Sequence, residues 1–151
     1  MAYLIAAYDL SPSTGEQAFV DGFPQDSAGI MLLWFVAREV PGLRGSNPYG
    51  VLADSAARGN RKALRKLLFA SQASDGGPAE GLADDVSRVA RVHALWTLQE
   101  LATLPPAVVN RVVEMRLPWC DSYKAIGAVS TSNATLRRLQ QRLVRSGSTG
   151  C

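Results

Sequence analysis

The 151-residue sequence contains only two cysteines and one histidine, which limits the chemistry that it can carry. Cys120 and Cys151 do not form a Cys-x-x-Cys pair, so a zinc site of the usual spacing cannot be built. His93 lies in an apolar stripe and is expected to be a core residue, and nothing in the sequence brings it together with Cys120 as a catalytic pair. We therefore predict no catalytic residue, no metal ligand and no cofactor. Two cysteines so placed are typical of free thiols in a reducing compartment.

Long apolar runs and phosphate-binding glycine motifs are also missing. The longest apolar run, residues 30–37, is far shorter than the ~20 residues that cross a bilayer. The start of the chain lacks the basic region of a secretory signal. Gly76 and Gly77 are not followed by the Gly-Lys-Ser/Thr sequence of a phosphate-binding loop. These absences argue against a membrane partner and nucleotide binding, and they favour a cytoplasmic location.

Charge is distributed in bands along a chain whose net charge is +3. Residues 1–57 and 71–104 are acidic, whereas 58–70 and 105–151 are basic. The first basic band is predicted to be the outer face of a helix and a candidate contact for RNA polymerase, nascent RNA or flanking DNA. Its basic residues are Arg58, Arg61, Lys62, Arg65 and Lys66.

Apolar positions at helical spacing predict an all-α protein of six or seven helices. Residues 3–8 favour a short helix or an extended arm, and 11–26 are predicted to form a surface loop because Pro12 and Pro24 interrupt them. The predicted organisation is an N-terminal helical lobe, a linker with a long connecting helix, a helix-turn-helix lobe and a loose tail. These occupy residues 1–74, 75–104, 105–146 and 147–151, respectively.

The helix predicted at residues 28–40 is apolar on every side, with an unbroken run from Ile30 to Val36. A helix of this kind is usually buried all round. We expect it to be the central helix of its lobe, and the alternative is a face for self-association.

Three helical patterns follow one another in residues 104–145. Pro105 can stand at the start of the first helix, and Pro118 ends it. A short second helix leads into a polar turn at 130–133, and a third helix spans 134–144. This succession is typical of a helix-turn-helix. The predicted buried stripe of the third helix is Leu136, Leu139, Leu143 and Val144.

The outward face of the third helix is basic and carries amides. A helix fits the major groove, where arginine can read guanine and asparagine or glutamine can read adenine. Residues 105–151 hold seven basic side chains against two acidic ones. We therefore predict that this lobe binds double-stranded DNA. The predicted base-reading residues are Asn133, Arg137, Arg138 and Gln141, and the predicted phosphate contacts are Lys124, Ser132, Arg142 and Arg145. A solvated basic face on an ordinary helical bundle is the alternative interpretation.

The segment resembles the helix-turn-helix of sigma-factor region 4. The matching residues are Leu104-Pro105, the apolar helix 108–115, Ser122-Tyr123, Ile126-Gly127 and the run Ser132-Asn133-Ala134-Thr135-Leu136. With about a hundred helical residues before it, the domain is similar to the late-gene antitermination protein Q of lambdoid phages. The resemblance covers only the C-terminal part of the chain. Ser130 stands where the family commonly has a turn glycine, and the link from Ile126 to Leu136 is one residue shorter.

The resemblance implies a phage-type transcription regulator in the host cytoplasm. Such a protein binds a promoter-proximal DNA element, engages RNA polymerase and its sigma factor, and makes the polymerase read through terminators. Two alternatives remain open. A helix-turn-helix repressor or DNA-packaging subunit would use the same helix on a two-fold site. A protein-binding adaptor that inhibits a host complex would not bind DNA at moderate salt. The sequence leaves the oligomeric state open.

Overall fold

The computed structural model describes residues 12–39, 47–73, 77–115, 117 and 120–147. In these residues the chain forms nine α-helices, one 3₁₀-helix and no strand. The all-α prediction is confirmed, whereas six or seven helices are too few. The α-helices are α1 (Pro12–Gly22), α2 (Ser27–Glu39), α3 (Pro48–Ala57), α4 (Arg61–Phe69), α5 (Gly77–Val92), α6 (Ala94–Thr103), α7 (Pro106–Glu114), α8 (Cys120–Gly127) and α9 (Ala134–Gly147), and the 3₁₀-helix Ala70–Ala73 follows α4.

Helix α1 lies in the segment predicted to be a loop. Proline is tolerated in the first turn of a helix because the N–H groups there have no partner within the helix, so Pro12 does not prevent this start. Phe19, Val20 and Phe23 are buried, and the two phenylalanine rings pack edge to face with centroids 5.8 Å apart. Burial of these apolar side chains stabilises a helix that local composition does not predict.

The long connecting helix predicted at 82–104 is two helices, α5 and α6, which meet at His93. His93 has non-helical backbone angles of φ −128° and ψ 51°. Its Nε2 lies 2.9 Å from the carbonyl oxygen of Ala57, and its ring stacks on Trp96 at a centroid distance of 4.3 Å. His93 is thus a half-buried contact at a helix junction and not a member of a continuous apolar stripe.

Helix α2 is not buried all round, so the expectation of a central helix is wrong. Ile30 and Leu33 face the core with exposures of 0% and 2%. On the other side of the helix Met31, Leu32 and Phe35 are exposed by 65%, 51% and 62%. The helix lies at the periphery because the core covers only one of its faces.

One hydrophobic cluster includes buried residues from all nine described helices. Helix α5 packs against α3 and α8, and α6 packs against α4 and α9. The pair α5 and α6 therefore joins the N-terminal helices to the three C-terminal ones. The predicted division into lobes stays a prediction, and residues 74–76 of the predicted linker lie outside the described residues.

Other sequence predictions concern the chain ends and the cysteines. The predicted arm at 3–8 and the tail from 148 onward lie outside the described residues. Gly147 does not belong to a loose tail, because it is buried and is the last residue of α9. Cys120 takes part in a disulfide bond, so the expectation of a free thiol is wrong for this residue. None of the described helices has the length and apolarity required to cross a membrane.

Candidate nucleic-acid interface

Helices α7, α8 and α9 follow one another in the order predicted for a helix-turn-helix. Pro106 is the first residue of α7, as expected for a residue without an N–H group. A turn at residues 128–133 joins α8 to α9. Each helix buries a narrow apolar stripe, so the opposite faces remain exposed. The buried apolar residues are Val108 and Val112 in α7, Tyr123 and Ile126 in α8, and Leu136, Leu139 and Leu143 in α9.

Ser122 has a structural role inside α8. Helix α8 begins at Cys120, so Ser122 lies in its first turn. The Ser122 side chain is buried and hydrogen-bonded to the hydroxyl of Ser87 on α5. This polar contact fixes α8 against the connecting helices and satisfies two hydroxyls that would otherwise be buried without partners.

The turn between α8 and α9 is held by Gln140. Its Nε2 lies 2.8, 3.0 and 2.9 Å from the carbonyl oxygens of Ile126, Gly127 and Val129, so its two N–H groups are shared among three acceptors. These carbonyls lie at the end of α8 and just beyond it, where a helix has no internal donors for its last residues. One side chain of α9 therefore fixes the geometry of the turn.

Sequence reasoning missed Gln140 and selected its neighbour Gln141. Gln140 bonds to residues 11 to 14 positions earlier in the chain, beyond the range of any local pattern. Gln141 is exposed and makes no hydrogen bond within the described part of the chain. Only the packing of α9 against α8 distinguishes the roles of the two glutamines.

Asn133 is the N-cap of α9. Its Oδ1 accepts from the backbone N–H groups of Thr135 and Leu136 at 2.9 and 3.2 Å. Pairing with adenine requires a side-chain oxygen that accepts as well as an amide that donates. Because this oxygen already accepts two hydrogen bonds, the geometry gives Asn133 a structural role and does not favour the predicted base-reading role.

Loss of the cap should have a measurable effect on stability. We expect Asn133→Ala to lower the free energy of unfolding by about 1 kcal/mol, because two N–H groups at the start of α9 lose their acceptor. Asn133→Asp should retain most of the stability, since its carboxylate also accepts from these groups and favours the positive end of the helix. Urea unfolding of the three proteins measures both effects, and equal stability of the alanine variant would exclude a capping role.

The remaining predicted base-reading residues, Arg137, Arg138 and Gln141, are all exposed on α9. The Arg137 Nη2 lies 3.4 and 3.5 Å from the carbonyl oxygens of Thr131 and Ser132, which are long hydrogen-bond distances. Arg138, like Gln141, makes no hydrogen bond within the described residues. Arg138 and Gln141 are three positions apart and therefore lie side by side on the helix. Both are available for a ligand.

The predicted phosphate contacts Lys124, Ser132, Arg142 and Arg145 are also exposed. Arg142 donates from Nη2 to Asn110 Oδ1 on α7 at 2.8 Å, which fixes the guanidinium between two helices. The Nζ of Lys124 lies 3.4 Å from Oδ1 of Asp121 on the same helix. An exposed pair of this kind contributes little to stability, so the lysine can exchange its partner at low cost.

The first basic band is largely engaged within the fold. Its ion pairs join Arg58 to Glu16, Lys62 to Asp21, and Arg61 and Arg65 to Glu100. The hydrogen bond from Lys62 is the main reason that the pKa of Asp21 is lowered. These four basic side chains remain between 47% and 62% exposed, so the pairs are surface pairs. The band therefore presents less free positive charge than the sequence suggests.

Lys66 does not lie on the outer face. It is 4% exposed, and its Nζ donates to the backbone oxygens of Asp21 and Phe23 at 2.8 and 2.9 Å. Burial, reinforced by the nearby charge of Lys62, lowers the pKa of the Lys66 ammonium group. The prediction that Lys66 contacts a polymerase or nucleic acid is wrong, because a large partner cannot reach it.

No group of three or more histidine, cysteine, aspartate or glutamate side chains that could hold a metal ion occurs in the described part of the chain. The organised features of this region are a rigid turn, a capped helix and an exposed row of arginine and glutamine side chains. These are groups that recognise an anionic or hydrogen-bonding surface. The chain matches no protein-family model, no curated protein and no solved structure.

Proposed function

We propose that this protein is a DNA-binding transcription regulator and that α9 is the helix that enters the major groove. The observation that carries the proposal is the pair Arg138 and Gln141, which are exposed, adjacent on α9 and without hydrogen-bond partners in the described residues. Arginine pairs with two acceptors of guanine, and glutamine pairs with the donor and acceptor of adenine. Their helix is fixed by Asn133 at its start and by Gln140 at the turn.

The surroundings of this pair suit a phosphate backbone. Arg137, Arg142 and Arg145 are exposed on the same helix, and Lys124 is exposed on α8. Contacts from such side chains supply affinity without sequence preference, and they make binding sensitive to salt. Asn110 already holds the guanidinium of Arg142, so less side-chain entropy is lost when it binds a phosphate.

The finer form of the proposal is an antitermination factor of phage type. It rests on the resemblance of residues 104–136 to sigma-factor region 4 and to antitermination protein Q. In this form the protein binds a promoter-proximal DNA element and engages RNA polymerase with its sigma factor. The exposed ion-paired side chains Arg58, Arg61, Lys62 and Arg65 are then candidate contacts for the polymerase, nascent RNA or flanking DNA, since weak surface pairs can be exchanged for new ones.

A salt-titrated binding assay tests the proposal. Purified full-length protein is titrated into a fluorescent random duplex and into duplexes from the DNA that flanks its own gene. We expect salt-sensitive binding to both and a preference for one flanking site. Arg138→Ala and Gln141→Ala should each reduce that preference by roughly 1–3 kcal/mol. Arg91→Ala is the matched control, because it removes an exposed positive charge on α5 that is assigned to neither proposed contact surface.

The outcomes of this assay distinguish the proposed function from its alternatives. Equal losses on specific and random DNA would make Arg138 and Gln141 phosphate contacts, whereas no binding at low salt would overturn the DNA-binding proposal. A palindromic footprint with half-sites about one helical turn apart would favour a dimeric repressor. The antitermination form additionally requires read-through of a terminator by RNA polymerase in a transcription assay with the purified protein.

One observation supports a second candidate function, a protein-binding adaptor that inhibits a host complex. Met31, Leu32 and Phe35 form an exposed apolar face on α2. Faces of this kind often contact other proteins. If the DNA-binding proposal holds, replacing all three residues with serine should leave DNA binding unchanged. If the protein is an adaptor, the same variant should no longer inhibit the host complex.

A further inference from the structure

We propose that a cavity between α4 and the start of α7 binds a small organic anion consisting of a carboxylate group on an apolar body. The cavity has a volume of about 260 Å³. It is lined by Gln25, Lys62, Arg65, Lys66, Phe69, Leu104 and Pro105. This site is separate from the face of α9 that we assign to DNA.

The cationic side of the cavity is formed by α4. Lys62, Arg65 and Lys66 have spacings of three and four positions on this helix, so they share one face of it. Among the described lining residues none is acidic. Asp21 and Glu100 pair with Lys62 and Arg65, but neither carboxylate lines the cavity. The charged side chains that line the cavity are therefore all cationic, although two of them are ion-paired outside it.

Lys66 is the central group of the proposed site. An ammonium group has three N–H donors, and two of them are used by the backbone oxygens of Asp21 and Phe23. No carboxylate among the described residues lies within ion-pair distance of this nitrogen, although the side chain is only 4% exposed. Asp21 attracts the Lys66 ammonium group from beyond ion-pair distance, but burial outweighs this attraction and lowers the pKa of Lys66. A buried charge without a directly paired counter-ion is unfavourable. A bound carboxylate would accept the third N–H and neutralise the charge.

The remaining lining determines the kind of anion. Phe69, Leu104 and Pro105 add apolar surface to the lining, and Gln25 adds an amide. A small, partly open cavity with apolar and cationic walls suits a small amphipathic ligand better than a nucleic-acid backbone. Leu104 and Pro105 directly precede α7, so an occupant would contact the segment from which the helix-turn-helix begins.

Nuclear magnetic resonance with the full-length protein tests the site. The probes are benzoate, its neutral analogue benzamide and inorganic phosphate, each followed by backbone amide shifts in a two-dimensional spectrum. We expect saturable shifts at Gln25, Lys66 and Phe69 with benzoate, and binding of benzamide and of phosphate at least tenfold weaker, since each lacks one half of the proposed recognition. Saturable shifts with phosphate alone would overturn the requirement for an apolar body.

Variants identify the groups responsible. Lys62→Gln should weaken benzoate binding about tenfold, whereas Arg58→Gln, which removes an ion-paired cation that does not line the cavity, should leave it unchanged. Lys66→Met should reduce the preference for benzoate over benzamide more than Lys62→Gln does, and if that variant does not fold, Lys62→Gln alone decides. Equal binding of the two probes to the unmodified protein, or shifts confined to α9, would refute the proposal.

Discussion

Replacing Gln140 with methionine is expected to lower the free energy of unfolding by about 3 kcal/mol, because partly buried carbonyl groups lose their donor. Methionine has nearly the same length and shape, so the change removes the amide with little loss of packing. Ile126 and Val129 lose the hydrogen bonds that fix the turn before α9, and Gly127 loses a third. Urea unfolding followed by circular dichroism measures the change in stability.

Gln141→Met is the matched control for this experiment. Gln141 is exposed and has no hydrogen bond in the described residues, so its replacement should change stability by less than about 0.5 kcal/mol. In the DNA-binding assay the two variants should show different defects. Gln141→Met should lose sequence preference while keeping its fold, whereas Gln140→Met should lose affinity for all DNA because α9 is no longer held at the correct angle. If both variants are equally stable, Gln140 does not hold the turn.

The second large effect is expected at Gly147, the last residue of α9. A Cβ atom at this position would lie 2.2 Å from Cε2 and Cζ of Tyr123 and 2.4 Å from Cε1. Tyr123 is 6% exposed, so its ring cannot move aside freely. Gly147→Ala should therefore destabilise the protein by about 2 kcal/mol, the usual cost of overpacking. Equilibrium denaturation with unchanged m-values gives this number directly.

Gly81 provides a control of opposite sign. It lies inside α5, and a Cβ atom there would meet nothing within 4 Å. Because glycine loses more backbone entropy than alanine on folding, Gly81→Ala should stabilise the protein by roughly 0.5–1 kcal/mol. A double-mutant cycle of Gly147→Ala with Tyr123→Leu then tests the cause, since a smaller side chain should reduce the penalty. The same penalty in both backgrounds would show that the ring is not responsible.

These residues explain how the candidate DNA-reading helix is held in place. Gly147 lets the end of α9 lie against Tyr123, Gln140 ties its middle to the end of α8, and Asn133 caps its start. Each contact lies on the side of α9 away from Arg138 and Gln141 or at its ends. Reading of bases requires such rigid placement, because a small displacement of the helix removes paired hydrogen bonds in the groove.

Much of the helical architecture can be predicted from the sequence because its signals are local. Asn60 is the N-cap of α4, and its side chain accepts from the N–H of Ala63 three residues later. An asparagine directly before a helical pattern predicts such a cap. Gly59 has a φ of 104°, which only glycine adopts readily, and a glycine in this conformation directly after the C-cap residue is a common local signal for the end of a helix. The stripe Leu136, Leu139 and Leu143 in α9 is buried as its spacing predicts.

Local signals also identified most of the exposed face of α9. The side chains of Arg138, Gln141 and Arg142 are exposed because the intervening leucines are buried. Helical periodicity therefore separates the two faces without knowledge of the fold. It does not reveal which polar side chains at the boundary between the buried and exposed faces contact a neighbouring helix. For this reason the different roles of Gln140 and Gln141 could not be predicted.

The sequence by itself determined that the chain is helical, where several helices begin, and which residues the last helix exposes, because these depend on residues three or four positions apart. Tertiary structure alone decided the rest. Burial of Phe19 and Val20 stabilises α1. The contact of His93 with Ala57, 36 positions earlier, accompanies the break between α5 and α6. Lys66 is buried because it donates to backbone oxygens up to 45 positions away. Burial and hydrogen bonds between such distant residues outweigh local preference, and only the folded chain brings these groups together.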